Sequence, residues 1–194
     1  MSAAGPGAPV GVVLAGGAGR RLGGAKPATP LAGRPLISYP LAALRAVLAP
    51  VAVVAKHGSP LPPVGYGVEL WREPDEPVHP LCGITEALRR ADGRAVVVLA
   101  CDLPLVTAAV VRELAHAPAG DALAVVATAD GELQPLCARY EPAALEALAG
   151  FDDRGRLMAQ VAALEPVCLP VDPGLLLNVN DPAGLAAAEA ALAG

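Results

Sequence analysis

The sequence predicts a three-layer α/β fold, in which a mostly parallel sheet carries helices on both faces. Aliphatic, β-branched runs alternate with segments whose apolar residues recur at helical spacing, and this alternation is typical of parallel sheets. The most hydrophobic strand, Arg94–Ala100, is expected at the centre, and Asp102 follows it directly. A glycine-rich loop follows the first strand, which begins at Val10. Both features come at the carboxyl ends of strands, where such sheets bind ligands.

Five further strands are predicted from short runs of aliphatic residues, which pack well on a pleated surface. Two of them flank the turn Ala129-Asp-Gly, a sequence typical of a tight turn between neighbouring strands. The five are Val51–Ala55, Val68–Trp71, Ala122–Thr128, Leu133–Tyr140 and Val167–Val171.

Six helices are predicted from apolar residues at helical spacing together with start and stop signals. Thr107 is suited to cap one helix, Pro142 stands at the start of another, and Asp181 precedes Pro182 at the start of the last. The six are Leu36–Ala49, Leu81–Ala91, Thr107 through Leu114, Pro142–Ala149, Arg154–Leu164 and the alanine-rich segment from Pro182 onward.

Composition places the chain among globular proteins. Its 194 residues, of which 54% are hydrophobic, are enough for one domain over 10–194, preceded by a flexible leader over 1–9. The net charge of −5 argues against a nucleic-acid partner, and the apolar stretches are too short and broken to span a membrane. Four widely spaced cysteines, Cys82, Cys101, Cys137 and Cys168, predict buried, reduced thiols in a cytoplasmic protein.

The loop after the first strand combines backbone freedom with positive charge. Five of the nine residues from Gly16 to Gly24 are glycine, and Arg20, Arg21 and Lys26 lie in or just after the loop. Glycine lets consecutive N–H groups converge on an anion, and the cations suit a polyphosphate. The alternative is that these three side chains are ordinary surface charges.

Two common phosphate-binding loops do not fit this segment. A P-loop needs a hydroxyl residue after its lysine, but Pro27 follows Lys26. A dinucleotide-binding fingerprint counted from Gly17 has Leu22 where the third glycine belongs. The second strand also ends without the acid that would hold a ribose.

Asp102 is the second predicted ligand-binding feature. A carboxylate at the end of a central strand is a hard oxygen ligand, and Mg²⁺ is commonly held by one or two carboxylates together with phosphate oxygens. The alternative is that Asp102 only caps the helix after Pro104. Near the chain end, Asn178 and Asn180 are two residues apart, so both side chains can face one side of an extended segment, although asparagines also open turns.

The glycine loop resembles the Leu-Ala-Gly-Gly-x-x-x-Arg-(Met/Leu)-Gly-x-x-Lys signature of sugar-phosphate and cofactor nucleotidyltransferases. It is most similar to that of the molybdenum cofactor guanylyltransferases. The resemblance continues in the same order over nearly the whole chain, at Leu31-Ala-Gly-Arg-Pro-Leu36, His79-Pro-Leu-Cys-Gly-Ile84, Cys101-Asp-Leu-Pro104, Gln134-Pro135 and Asn178-Val-Asn180.

The resemblance implies a Rossmann-like nucleotidyltransferase fold and transfer of GMP from GTP to molybdopterin, with release of pyrophosphate. It implies that Arg21, Lys26 and Asp102 are catalytic and that Asp102 binds Mg²⁺. It leaves room for carrier proteins that deliver the acceptor. The substrate-binding residues that it implies are Leu14, Ala15, Gly16, Gly17, Gly19, Gly23, Glu73, Pro80, Leu81, Gly83, Asn178 and Asn180.

Some positions depart from the family pattern and leave the base and the acceptor open. Ala55 stands where the family often has an asparagine that contacts the nucleotide, and either Glu73 or Asp75 matches the acidic contact. His79 and Cys82 also differ from the usual Gly-Pro-Leu-Ala-Gly segment. Two alternatives therefore remain. One is cytidylyl or other nucleotidyl transfer to a different phosphorylated acceptor, and the other is a nucleotide-binding module without turnover.

Overall fold

The structure is a computed structural model that describes residues 7–15, 25–149 and 156–194. Nine strands and six α-helices lie in these ranges, with a 3-10 turn at Lys26–Ala28 and another at Pro173–Leu176. The strands are β1 (Val10–Leu14), β2 (Pro30–Leu31), β3 (Arg34–Pro35), β4 (Val51–Ala55), β5 (Val68–Arg72), β6 (Val96–Ala100), β7 (Ala124–Ala129), β8 (Glu132–Tyr140) and β9 (Val167–Pro170). The helices are α1 (Ser38–Arg45), α2 (Pro80–Arg90), α3 (Ala108–His116), α4 (Ala144–Ala149), α5 (Leu157–Ala162) and α6 (Pro182–Ala193).

Seven strands form one sheet in the order β5-β4-β1-β6-β8-β7-β9. All pairs are parallel except the two that β8 makes with β6 and β7, so β8 runs against the other six strands. The predicted mostly parallel sheet is confirmed, and the strand predicted at Arg94–Ala100 lies at its middle as β6. The carboxyl ends of β5, β4, β1 and β6 consequently lie along one edge.

Alternate residues of the central strands bury into two separate cores. Val13, Val53 and Leu99 point into the core that α1 and α3 cover, whereas Val12 and Val98 point into the one that α2, α4 and α5 cover. Because both faces are apolar, β1, β4 and β6 read as continuous hydrophobic runs rather than alternating ones. The predicted helices on both faces are therefore confirmed.

Close packing at β1 depends on a glycine. A Cβ built at Gly11 would lie 3.2 Å from Val51 Cγ2 and 3.3 Å from Leu44 Cβ. These separations are tighter than ordinary van der Waals contact, so a larger residue would push α1 and β4 outward.

The first helix begins later than the sequence predicts. The helix predicted at Leu36–Ala49 begins at Ser38, because the N–H groups of Leu36 and Ile37 donate to the carbonyls of Thr29 and Pro27. Asp130 and Gly131 both have positive φ, as the predicted tight turn requires.

The cysteine prediction holds in part. All four thiols are free, and Cys101 and Cys137 are buried, but Cys168 on the edge strand β9 is exposed, contrary to the prediction of buried thiols. β9 is the edge strand of the described sheet. Within the described ranges, none of the helices has both the length and the apolar character needed to cross a bilayer.

Candidate functional site

Three segments that are far apart in sequence meet at the carboxyl end of β6. The Lys26 ammonium donates a hydrogen bond to Asp102 Oδ2 and another, of 2.6 Å, to Asn180 Oδ1. The Lys26 and Asp102 side chains are 12% and 14% exposed, so their ion pair is partly shielded from water. An ammonium has three N–H donors, and these two contacts use two of them.

The position of Lys26 is fixed by the chain that follows it. The 3-10 turn Lys26–Ala28 has the buried Pro27 near its start, and the Pro27 carbonyl accepts a 3.1 Å hydrogen bond from Ile37 N. Proline restricts the backbone directly after the lysine. The turn is thereby tied to the start of α1, which aims the lysine side chain at the sheet edge.

A backbone hydrogen bond places Asn180 beside Asp102. Val179 N donates to the carbonyl of Asp102 at 2.9 Å, and the fully buried Val179 side chain packs with Leu31. Asp181 then caps α6, since its Oδ1 accepts from Gly184 N at 2.9 Å. The segment before α6 is therefore held on both sides of Asn180.

One oxygen of Asp102 is left for a ligand. Oδ1 is buried and has no hydrogen-bond partner among the residues that the structure describes. A buried carboxylate oxygen without a partner is costly unless something binds it. Burial raises the pKa of the adjacent Cys101 thiol to about 12, so this thiol is not a reactive thiolate at neutral pH.

A buried carboxylate lies three strands from β6, at the end of β5. Glu73 is 5% exposed, and its Oε2 also has no partner among the described residues. A Cβ built at Gly83 would be 3.3 Å from this oxygen and 3.1 Å from Leu14 Cδ2. Glu73, Gly83 and Leu14 thus line one tight corner between β5, α2 and β1.

Burial raises the pKa of the Glu73 carboxyl above 4.5, and the neighbouring Lys56 ammonium partly opposes this rise. Lys56 Nζ lies 3.9 Å from Glu73 Oε1 and donates a 2.6 Å hydrogen bond to the Pro74 carbonyl. Of the two acids left open by the sequence, Glu73 is the buried one. Asp75 is exposed and accepts from His57 N at 3.1 Å.

Most of the other predicted site residues lie in the described part of the chain. Leu14 is the last residue of β1, and its carbonyl accepts a hydrogen bond from Cys101 N. Ala15 follows β1 and its N–H donates to Val54 O. Pro80 and Leu81 form the first turn of α2, which His79 caps through Nδ1. Asn178 does not join Lys26 in the way that Asn180 does, and instead its amide donates to Leu176 O. Gly16, Gly17, Gly19, Arg21 and Gly23 lie outside the described residues.

Sequence reasoning assigned no role to Lys56. A usable signal exists, because Lys56 is one of only two lysines in the chain and directly follows β4. Its position at the carboxyl edge of the sheet therefore parallels that of Asp102 after β6.

The fold and the site together define a class. In open α/β sheets ligands bind outside the carboxyl ends of the strands, and Lys26 and Asp102 lie at that edge. The chain belongs to the family described as the MobA-like NTP transferase domain, which matches residues 11–167.

Known proteins resemble the chain over nearly its whole length. It is 34% identical over 190 residues to a molybdenum cofactor guanylyltransferase of Cereibacter sphaeroides, covering 94% of this chain and 96% of that one. The crystal structure of molybdopterin-guanine dinucleotide biosynthesis protein A from Archaeoglobus fulgidus matches with a TM-score of 0.70 at 23% identity, covering 95% and 98% of the two chains.

A second similar structure belongs to a protein with a different name. The 2-C-methyl-D-erythritol 4-phosphate cytidylyltransferase of Thermus thermophilus gives a TM-score of 0.69 at 22% identity, covering 96% of this chain and 100% of that one. Two proteins with different names therefore match the fold equally well. The base and the acceptor have to be argued from the site.

Proposed function

We propose that this protein is a molybdenum cofactor guanylyltransferase, which transfers GMP from GTP to the phosphate of molybdopterin and releases pyrophosphate. The observation that carries the proposal is the meeting of Lys26, Asp102 and Asn180 at the end of β6. The relative from Cereibacter sphaeroides, whose name states this activity, supports the choice of base and acceptor.

The reaction requires one bond to form and one to break at the α-phosphorus. A phosphate oxygen of the acceptor attacks that phosphorus in line, and the bond to the bridging oxygen of the β-phosphate breaks as pyrophosphate leaves. The nucleophile is already an anion, so no general base is needed. Catalysis then rests on positioning and on neutralising charge, as in phosphoryl transfer generally.

Lys26 is suited to neutralise the triphosphate. Asp102 and Asn180 hold the ammonium in place, and its third N–H, which has no partner among the described residues, would donate to a phosphate oxygen. Arg21, in the glycine loop, is proposed as a second cation for the leaving group. The loop glycines Gly16, Gly17, Gly19 and Gly23 would offer backbone N–H groups to the phosphates.

Nucleotidyltransferases of this family generally use a divalent metal ion, and Mg²⁺ is the ion that we propose here. The residues fit it, because Asp102 Oδ1 is a hard, buried oxygen without a described partner. When bound, the metal would neutralise negative charge on the phosphates. Within the described ranges, no cluster of three or more acidic, histidine or cysteine side chains could hold a metal alone, so phosphate oxygens would complete the coordination.

The corner at Glu73 is proposed to bind the guanine base. Guanine presents two neighbouring donors, its N1–H and its amino group, and an ionised carboxylate accepts both. Leu14 and Leu81 would pack against the base, and the absence of a side chain at Gly83 would let it approach α2. GTP and molybdopterin are the proposed partners, with delivery proteins and a cytoplasmic location remaining predictions.

The test is turnover with each of the four nucleoside triphosphates, Mg²⁺ and molybdopterin. We expect pyrophosphate and a dinucleotide product with GTP only, and Asp102→Asn should remove both. Asp121→Asn, at an exposed position before β7, is the matched control and should behave like the native protein. Turnover with CTP alone would contradict the guanine assignment, and GTP binding without product would favour the module that lacks turnover.

A further inference from the structure

Lys56 is joined to a single short segment of the chain. We call Glu73–Pro77 the Glu73 turn; it follows β5 directly and leads toward α2. The Lys56 ammonium donates to Pro74 O at 2.6 Å and to Pro77 O at 3.4 Å, and lies 3.9 Å from Glu73 Oε1. All three of these contacts fall on the Glu73 turn, although Lys56 itself follows β4.

The backbone around Lys56 binds the same segment. The Lys56 carbonyl accepts a 2.6 Å hydrogen bond from Arg72 Nη1, and Glu73 N donates to Ala55 O at 3.2 Å. His57 N donates to Asp75 Oδ1. The end of β4 thus fixes the Glu73 turn through both backbone and side-chain contacts.

The two oxygens of Glu73 therefore have different surroundings. Oε1 faces the Lys56 ammonium, whereas Oε2 faces Gly83 and Leu14 and has no partner among the described residues. A carboxylate with one oxygen held by a cation and the other directed into a buried corner is prepared to accept a hydrogen bond from a ligand.

We propose that Lys56 is a positioning residue that holds the Glu73 turn and directs Glu73 Oε2 at the base, so that it sets the preference for a base with two adjacent N–H donors. This inference rests on the proposed function, because it takes the corner at Glu73 as the base-binding site. It assigns Lys56 no contact with the phosphates, since its described contacts lie on the Glu73 turn.

The charges around Glu73 explain why a cation is needed there. Burial raises the pKa of Glu73, Lys56 lowers it, and Glu86 of α2 and Asp75 raise it further. Glu86 is engaged by Arg89 and Arg90 on the same helix. Without Lys56 the carboxyl would bind a proton at a higher pH, and a protonated acid accepts fewer hydrogen bonds from the base.

Comparison of GTP with ITP isolates the interaction, because hypoxanthine keeps N1–H and lacks the amino group of guanine. The measurement is the Kd of each nucleotide without acceptor, which separates base recognition from chemistry. We expect Lys56→Met to weaken GTP binding by about tenfold to 100-fold and ITP binding by less, so that the ratio of the two Kd values approaches one.

Three single variants and one double variant separate a positioning role of Lys56 from a general loss of structure. Lys56→Arg keeps the charge and should restore most of the discrimination, and Arg112→Met, at an exposed position on α3, removes a like charge and should change nothing. Glu73→Gln should lose the discrimination as well. Adding Lys56→Met to Glu73→Gln should then have little further effect, since the lysine acts through the carboxylate.

A pH series supplies a readout that a purely structural role would not move. In the Lys56→Met protein, the loss of GTP affinity on acidification should begin at a higher pH than in the native protein, because the variant lacks the Lys56 charge, which lowers the Glu73 pKa.

Discrimination between GTP and ITP that survives Lys56→Met, in a protein that still transfers GMP, would overturn this inference alone. A native protein that binds no GTP would overturn it together with the proposed function.

Discussion

The only two lysines of the chain each pair with a carboxylate at the same sheet edge, but they do so in different ways. Lys26 bonds directly to Asp102 and to Asn180, and so joins three segments separated by 76 and 154 residues. Lys56 stays 3.9 Å from Glu73 and bonds mainly to backbone carbonyls of one neighbouring turn.

This difference separates two tasks at one edge of the sheet. The Lys26 pair assembles parts from across the chain, so its loss should affect the reacting phosphates and the rate. The Lys56 pair is a local arrangement between two adjacent strands, so its loss should affect which base is bound. The following variants test that division, from the largest expected effect to the smallest.

Asp102→Ala should break the first pair most completely. We expect kcat/KM to fall by about 1,000-fold or more, because the change removes both the buried oxygen available to a metal and the anion that holds Lys26. Pyrophosphate release measures the loss, and thermal unfolding should show that the protein still folds. Full activity would mean that another group holds the metal.

Lys26→Ala should reduce kcat/KM by about 100-fold and weaken binding of the triphosphate more than that of the diphosphate. The reason is that, in the proposed mechanism, the Lys26 ammonium contacts the outer phosphates. Lys26→Arg keeps the charge but not the compact geometry, and should recover only part of the activity. Equal losses for GTP and GDP would disprove the assigned contact.

Asn180→Ala should cost about tenfold in kcat/KM, since it removes one hydrogen bond that orients Lys26. Asn178→Ala is its matched partner, because that amide bonds to Leu176 O instead. We expect a clearly smaller loss for Asn178→Ala in the same assay. Equal losses would mean that both asparagines reach the substrate.

Glu73→Gln should have the smallest effect of these variants, which is a slight increase in the stability of the fold. Burial raises the folded-state pKa of Glu73 above 4.5, so the native state loses stability as pH rises through that raised value. The neutral variant avoids this cost. Its Tm should therefore be slightly higher than that of the native protein at neutral pH, and the difference should vanish below the ordinary glutamate pKa.

The control for this comparison is Glu132→Gln, an exposed position on β8. Its Tm should follow that of the native protein across the pH range. A Glu73→Gln protein that is less stable at neutral pH would show that the contact with Lys56 outweighs the cost of burial.

Much of this architecture follows from local sequence. The runs that form β1, β4 and β6 are buried on both faces, so their hydrophobic patterns are unbroken and easily recognised. Lys26 and Asp102 were predicted because each directly follows such a strand or its loop. The reversal of β8 against β7 follows from the tight turn at Asp130 and Gly131, whereas the antiparallel pairing of β8 with β6 is not apparent in the pattern, since these strands are similarly apolar.

The role of Lys56 depends on packing that the sequence does not show. Its hydrogen-bond partners are backbone carbonyls of an irregular turn. Because every residue has a carbonyl, no residue type in the sequence indicates this contact. The choice between Glu73 and Asp75 likewise depended on which one the end of β5 turns inward.

The amide of Val179 that bonds to the carbonyl of Asp102 has a consequence for synthesis of the protein. The last strand of the sheet ends at Pro170, so Asn180 lies in a segment that follows the whole β-scaffold along the chain. A product terminated between Pro170 and Asn180 would contain every described strand of the sheet and would lack the hydrogen bond from Lys26 to Asn180. Such a product would also lack Val179 and Ala188, so Leu31 and Leu36 would lose the apolar side chains that bury them.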